Sequence, residues 1–435
     1  MRSRLVPVAT ALAVAASTAL MMAPTSTAAP AAGGDSSAKL TNTNFAFTAT
    51  GYGTLVEGGM VPADSGTTGF STIACTNQAG KTRDNYIAEV NVPGLGTISG
   101  VRTDVQTRQR KNKVFSLAKH SVADVSILDT PLGSLSITGV SATSRVTYTK
   151  SGPDKGFKTA TNTSVLGIKL QPAGGLPAQT LPLPTPDQPI EIPGLATISL
   201  GKSIEKKNRQ GATAYANALF IHVIPTDTTV KVARSAAKLE RGAVSGIFNG
   251  NSSPVRADVI GDLIRVGRAV NSIMPCTGTD GELKKKSAAS VNLADQVVVD
   301  GAYSQQRANQ VKGRASGTEE SGVAKISLGG DALVIEGLQA KVNVVRKGGK
   351  VTKNGFTKFV GITAGGQAQE LDQLPETIEI PGVGLVKLEF NLKRKTAWGM
   401  KVVALRITLL EAGGDDVDSV VNIGEAKLRI QPLGS

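Results

Sequence analysis

The sequence predicts an all-β protein built from two tandem homologous β-rich units, sandwich-like, with few or no helices after the first thirty or so residues. Three observations predict it. Apolar and polar residues alternate along most of the chain, helical periodicity is nearly absent, and a five-residue block recurs far downstream in step with other matches.

In chain order, residues 1–31 come first: Arg2 and Arg4, an apolar run from Leu5 to Met22, then small residues. That is the pattern of a secretory signal peptide, with cleavage after Ala28 or after Ala31. A retained anchor is the alternative, but the run contains Pro7, is rich in Ala and Thr, and is barely long enough to span a bilayer. Residues 32–44, rich in Gly, Ser, Ala and Thr, read as a disordered leader. Two β units follow, 45–245 and 246–435, with Asn249-Gly-Asn-Ser-Ser-Pro254 as the joint. No later stretch approaches eighteen apolar residues, so a mature chain without a transmembrane segment is expected, secreted and extracellular or associated with the cell wall. Leu374-Pro-Glu-Thr377 has the start of a wall-sorting signal, but Ile378 stands where Gly is required, and it reads as a loop entering a strand.

The duplication rests on Ile190-Glu-Ile-Pro-Gly194, which recurs as Ile378-Glu-Ile-Pro-Gly382. Further matches fall in the same order. Cys75-Thr pairs with Cys276-Thr, Gln106-Thr-Arg108 with Gln305-Gln-Arg307, and Lys155-Gly-Phe157 with Asn354-Gly-Phe356. Ala218-Leu-Phe-Ile221 pairs with Ala404-Leu-Arg-Ile407, and Ala237-Lys-Leu239 with Ala426-Lys-Leu428. The offset shrinks across the Pro-rich stretch from Gln171 to Pro189, an insertion that belongs in a surface loop. Pro93-Gly-Leu-Gly-Thr-Ile-Ser99 also echoes Pro193-Gly-Leu-Ala-Thr-Ile-Ser199, as if each unit had two related halves. Alternation marks Ser134–Ser141, Ser144–Lys150 and Gln339–Arg346 as strands, with turns at 150–156 and 347–350. Only Val259–Val270 could pass for an amphipathic helix, and Gly261 and Gly267 weaken it.

Phe47–Glu57, Ser71–Gly80, Val90-Asn-Val-Pro-Gly94 and the Ile-Glu-Ile-Pro-Gly block together resemble the choice-of-anchor P family of secreted actinobacterial proteins. The resemblance covers most of both copies. Members of that family share the exported region and differ in how, or whether, they are tethered to the surface. The resemblance implies no activity and no functional residues, and this chain shows no recognisable C-terminal anchor.

Composition excludes several chemistries. Two histidines cannot build a multi-histidine metal centre, and two cysteines cannot build a thiolate zinc site or an iron–sulfur cluster. No catalytic, cofactor or metal motif is present. His120 with Ser121 and Asp124 mimics a triad only in sequence, and His222 lies in an apolar strand-like run. Gly51-Tyr-Gly53 and Gly58-Gly59 do not lead from a strand into a helix, so they are not a phosphate loop. Gly413-Gly-Asp-Asp-Val-Asp418 lacks the spacing of an EF-hand and reads as a solvated loop. Cys75 and Cys276 stand at the same place in the two copies. A disulfide stapling the copies is the expectation, with free buried thiols or an intermolecular bridge as the alternatives.

The remaining signal is charge. The chain carries 48 basic against 34 acidic residues, a formal +14. The excess is clustered in Arg108, Arg110, Lys111 and Lys113, in Lys206, Lys207 and Arg209, and in Lys393, Arg394 and Lys395, with further runs at Lys284–Lys286 and Arg346–Lys350. As hairpin tips these keep edges soluble. As a surface they suit an anionic partner such as cell-wall phosphodiester polymer, acidic polysaccharide or phospholipid headgroups. Nucleic acid fits less well, because aromatic residues for stacking on bases are almost absent from the runs. The expectation is an exported, non-enzymatic binding or structural protein. A secreted hydrolase using Asp or Glu, and a self-assembling surface protein, are the rivals.

Overall fold

A computed structural model describes residues 39–57, 68–92, 96–130, 133–185, 187–224, 227–258, 268–293, 297–370, 377–380, 384–410 and 419–434. Residues 1–31, expected to be a signal peptide, Gly58-Gly59, most of the Val259–Val270 window, Leu374–Glu376 and the Gly413–Asp418 cluster lie outside these residues. Every regular element among the described residues is a β-strand, and every pairing is antiparallel.

The first half opens with β1 (Thr41–Glu57) and β2 (Ser71–Ala79). Next come β3 (Thr82–Val92), β4 (Gly96–Arg110), β5 (Lys113–Thr130), β6 (Gly133–Thr149), β7 (Gly156–Ser164), β8 (Gly167–Pro172) and β9 (Gln179–Leu181). The half closes with β10 (Ile190–Ile192), β11 (Ala196–Leu200), β12 (Ser203–Lys207), β13 (Gly211–Val223) and β14 (Thr228–Arg241). The second half opens with β15 (Ile247–Asp258), β16 (Arg268–Ala269) and β17 (Ser272–Ile273). It continues with β18 (Lys284–Leu293), β19 (Val297–Val311), β20 (Arg314–Leu328), β21 (Leu333–Lys347), β22 (Lys350–Lys358), β23 (Gly361–Ala364) and β24 (Gln367–Gln369). Its last strands are β25 (Thr377–Ile380), β26 (Gly384–Thr396), β27 (Gly399–Leu410) and β28 (Ser419–Gln431).

These strands make four seven-stranded sheets, two per half. In the first half, β3-β4-β5-β6-β8-β9, with β7 beside β6, faces β10-β11-β13-β14-β1-β2, with β12 beside β13. In the second, β18-β19-β20-β21-β23-β24, with β22 beside β21, faces β25-β26-β27-β28-β15-β16, with β17 beside β15. The order is the same strand for strand, except that one long β26 stands where the first half has β11 and β12, and the short β16 and β17 stand where it has β2. Each half is a sandwich, because alternate residues of both its sheets are buried between them. Phe47 and Phe248 occupy matching places on β1 and β15 and are fully buried. Gly100 and Gly301 share φ of 60°. A Cβ there would stand 2.5 Å from Ala123 Cβ and 2.6 Å from Ala324 Cβ respectively, so glycine is required twice for one bend.

The register refines the repeat. The β4–β5 tip pairs Arg110 with Lys113, and the β19–β20 tip pairs Val311 with Arg314. Counting back from the tips, Gln106 corresponds to Arg307, not Gln305. Phe157 opens β7 opposite Tyr148, whereas Phe356 sits deep in β22 opposite Lys341, so those two are not equivalent. Left-handed residues Ala233 and Gly424 mark matching irregularities in β14 and β28, and they align Ala237 with Leu428. The Ala218–Ile221 match and the Ile-Glu-Ile-Pro-Gly match stand. The Pro-rich insertion is an exposed, longer β8–β9 connection: Leu170 pairs with Gln179 there, whereas Ala364 pairs with Gln367 across a two-residue turn.

Two expected boundaries move. Thr41–Asn44, placed in the leader, already belong to β1. The Asn249–Pro254 joint is the middle of β15, and the sandwiches are connected by Gly242–Gly246 instead. Small polar residues mimic a turn there, but the sheets approach so closely that a Cβ on Gly250 would stand 3.0 Å from Glu319 Oε1 of the facing sheet. Ser252 and Ser253 are fully buried, and their hydroxyls bond to Glu319 and to the Val255 and Ala269 carbonyls.

Cys75 and Cys276 form a disulfide between the sandwiches, with Cα atoms 5.4 Å apart and a sequence separation of 201. Ala46, Ala243 and Ile247 pack around it. Gln310 Oε1 accepts the backbone N–H groups of Val244, Ser245 and Gly246, and Gln78 and Asn77 bond the Gly434 backbone. A loop of that length stabilises by about 5 kcal/mol in the chain-entropy treatment. The Cys75→Ser, Cys276→Ser double variant is therefore expected to unfold several degrees lower, with its β-sheet circular dichroism retained before the transition. An unchanged midpoint in oxidising buffer would show that the bridge adds nothing.

Candidate functional site

The register explains where the basic residues lie. β12, β13 and β14 place Lys206, Thr213 and Lys238 directly across from one another, so they share a face of the sheet at the β12–β13 tip. Against this face comes the Pro275–Lys284 segment of the second sandwich, held by the disulfide. Between them is a cleft of about 440 Å³ lined by Lys206, Lys207, Lys238 and Lys284, with Glu240, Asp280 and Glu282 as its acidic residues. Glu240 is nearly buried and both of its oxygens are occupied: Oε1 takes Lys238 Nζ at 2.7 Å, and Oε2 accepts the Cys276 N–H at 3.0 Å. It is a strut between the sandwiches. The cleft thus offers one cation more than it has anions, on walls of backbone amide, Asn208, Gln210 and threonine hydroxyl.

The other predicted residues form two separate groups. Arg110, Lys111 and Lys113 are exposed at the β4–β5 tip, and the following turn brings Lys150 beside them, its N–H donating to the Asn112 carbonyl. Asp154, bonded to Lys158 at 2.7 Å, has its carboxyl held below its ordinary range by that lysine and by Lys113. Arg108 lies back from the tip on the outer face opposite Phe115, whose ring carries the Arg145 guanidinium 4.4 Å from its centroid. Arg209 sits at the β12–β13 turn. Lys393, Arg394 and Lys395 are exposed near the end of β26 and do not line the cleft; the register sets them at the positions of Ser203–Glu205, so they are not the counterparts of Lys206–Arg209. Sequence reasoning missed Lys238 and Glu240, because an alternating strand gives no sign of what packs on its outer face.

The triad-like residues separate. His120 points into the first sandwich and Ser121 out of it, as neighbours on a strand must, and Asp124 accepts from Ser136. His222 is half-exposed, 3.6 Å from Asp227. No group of three metal-ligating side chains exists among the described residues, and no described helix is long and apolar enough to cross a membrane. Comparison with protein-family models, with curated proteins and with solved structures finds no match.

Each sandwich also buries one isolated titratable group on its inner face. Thr103 donates its hydroxyl to the Gly69 carbonyl, so at 2.6 Å it accepts from His120 Nδ1, leaving Nε2 as a lone pair without a partner among the described residues. Burial lowers the His120 pKa to about 3. Two residues earlier in the equivalent strand, Glu319 is fully buried with only Ser252 as partner, at 2.8 Å. Burial raises its carboxyl well above the ordinary range, and the Ser252 bond opposes this only in part.

The two groups act on stability with opposite signs. Unfolded, His120 binds a proton below about 6.5 that the folded chain refuses until about 3, so its contribution is complete above 6.5 and falls with decreasing pH through that window. Glu319 keeps folded a proton that the unfolded chain loses above about 4.5, so its contribution is complete below that value and falls as pH rises. His120→Gln should remove a slope of roughly 1.4 kcal/mol per pH unit on the acid side, and Glu319→Gln a similar slope of opposite sign above pH 5. Denaturation midpoints from pH 4 to 8 measure both. Parallel wild-type and variant curves would mean that neither group is buried uncharged.

Proposed function

We propose that the chain is an exported, non-enzymatic protein of the cell envelope, descended from a duplicated β-sandwich like the choice-of-anchor P proteins it resembles, and that it binds an anionic envelope polymer. The observation that carries this reading is the junction cleft, where lysines from both sandwiches converge on one polar-walled hollow. Lys206 and Lys238, on either side of Thr213, and Lys284 on the opposite wall are spaced cations, which suit repeating negative groups better than a single compact anion. The β4–β5 tip adds long-range attraction that steers the polymer without fixing its register.

Retention of the mature protein on purified cell-wall material should fall steeply between 50 and 500 mM salt. Replacing Lys206, Lys207, Lys238 and Lys284 together by Gln should weaken binding at least tenfold at low salt. The log–log salt slope should fall by about three to four units, since each of the four cations in contact contributes close to one. Binding indifferent to salt, or none at low salt, would overturn the proposal.

A further inference from the structure

The outer face of the β18–β22 sheet carries a feature that the cleft does not use. Cross-strand pairing lines up Gln305, Glu320 and Lys341 in one row and Arg307, Thr318 and Asn343 in the next. Two hollows, of about 330 and 250 Å³, open on this face and share Arg307 and Thr318 as their common wall. The groups around them are held in place. Arg307 donates Nε to the Gly281 carbonyl, which fixes the guanidinium plane and leaves its Nη donors at the shared wall. Thr318 donates to Asn343 Oδ1 at 2.7 Å, so the Asn343 amide presents its NH₂. Glu320 is occupied by Lys341 at 3.1 Å and by Gln339 at 2.7 Å. Gln339 also reaches the Tyr303 hydroxyl at 3.1 Å. Tyr303 lies across Gly322, where a Cβ would stand 2.7 Å from the ring.

We propose that this face is a recognition platform for an acidic oligosaccharide, with Arg307 receiving a uronate carboxylate and Asn343, Thr318 and Gln305 bonding sugar hydroxyls. Charge argues for the acid: Arg307 and Lys341 stand against a single carboxylate, Glu320, which is already neutralised in place. Chemistry argues for the sugar, since planar amides and a guanidinium held by bonds to the protein suit the fixed hydroxyl and carboxylate directions of a pyranoside. Two adjoining small hollows suit consecutive residues of a chain better than one compact ligand. The first sandwich lacks the site: Gln106, Leu117 and Arg145 stand where the second has Arg307, Thr318 and Asn343, so a leucine interrupts the polar row. The platform is a different surface from the lysine cleft, and it stands whether or not the cleft reading does.

Calorimetric titration of the full mature protein with trigalacturonic acid tests it, with the methyl-esterified trimer as neutral control. Saturable binding of the acid is expected, about tenfold weaker for the ester. Arg307→Gln should bring the acid down to the ester's level, and Asn343→Ala should weaken both trimers three- to tenfold. Both side chains are at the surface, so thermal midpoints should not move. The quadruple lysine-to-glutamine cleft variant should bind the trimer like wild type while losing wall retention. Absence of saturable binding, equal affinity for acid and ester, or loss of binding in the cleft variant with Arg307→Gln unaffected would each overturn the platform. Only failure of the salt-dependent wall retention speaks against the cleft.

Discussion

Every sheet of this protein must hide one face and only one, and the rest of the structure follows from that constraint. The inner faces are crowded with Ala, Val, Ile and Leu at alternate positions, and where two strands approach most closely the residue shrinks to Gly or Ser. Ser144 and Ser235 show the consequence, their hydroxyls 2.8 Å apart across the first sandwich. A polar side chain is tolerated inside only where a partner meets it. The outer faces escape this constraint, so their rows of Arg, Lys, Glu, Asn and Gln can be set by something other than folding.

Fold class was legible because alternation at period two is a direct imprint of that one-sided burial. The matching halves were legible because Cys75 and Cys276 keep the 201-residue offset of the equivalent hairpin tips, and Ile190–Ile192 and Ile378–Ile380 make equivalent strand pairings. Short matches such as Gln106-Thr-Arg108 misled by two residues, since a shift of two in a strand returns every side chain to the same face and leaves the pattern unaltered. Asn249–Pro254 misled for a related reason: residues chosen for smallness at a close sheet contact have the composition of a turn. The cleft was half legible. Lys206 and Lys207 stand out as a run, whereas Lys238 and Glu240 belong to an ordinary alternating strand and acquire meaning only when the second sandwich packs beside them.

That packing rests on few contacts. A small apolar cluster, Ala46, Ala243 and Ile247, surrounds the disulfide, and the links among the described residues include hydrogen bonds from Gln310, Gln78, Asn77, Glu240 and Ser245 and the contact of Thr48 with Cys276. A junction so polar gains little from burial, which is where a covalent bridge has most to contribute. The bridge also determines the cleft, because Glu240 holds the backbone of Cys276 itself while binding Lys238. Structural link and charged wall are thus one set of residues.

The two sandwiches agree where packing dictates and differ where it does not. Phe47 and Phe248, Gly100 and Gly301, and Gly139 and Gly337, with φ of 63° and 62°, occupy matching places. On the outer faces the same register sets Asp104 against Gln305, Lys119 against Glu320, Leu117 against Thr318 and Arg145 against Asn343. A row that served only solubility could exchange one charge for another freely, but it would have no need of hydrogen-bonded amides or of a tyrosine laid flat over a glycine. On the first sandwich the matching face is held by Arg145 over the Phe115 ring and by the Arg102–Asp104 pair, and on the second by hydrogen-bonded amides. The first half contributes most of the lysines at the junction, and the second a face of fixed polar groups.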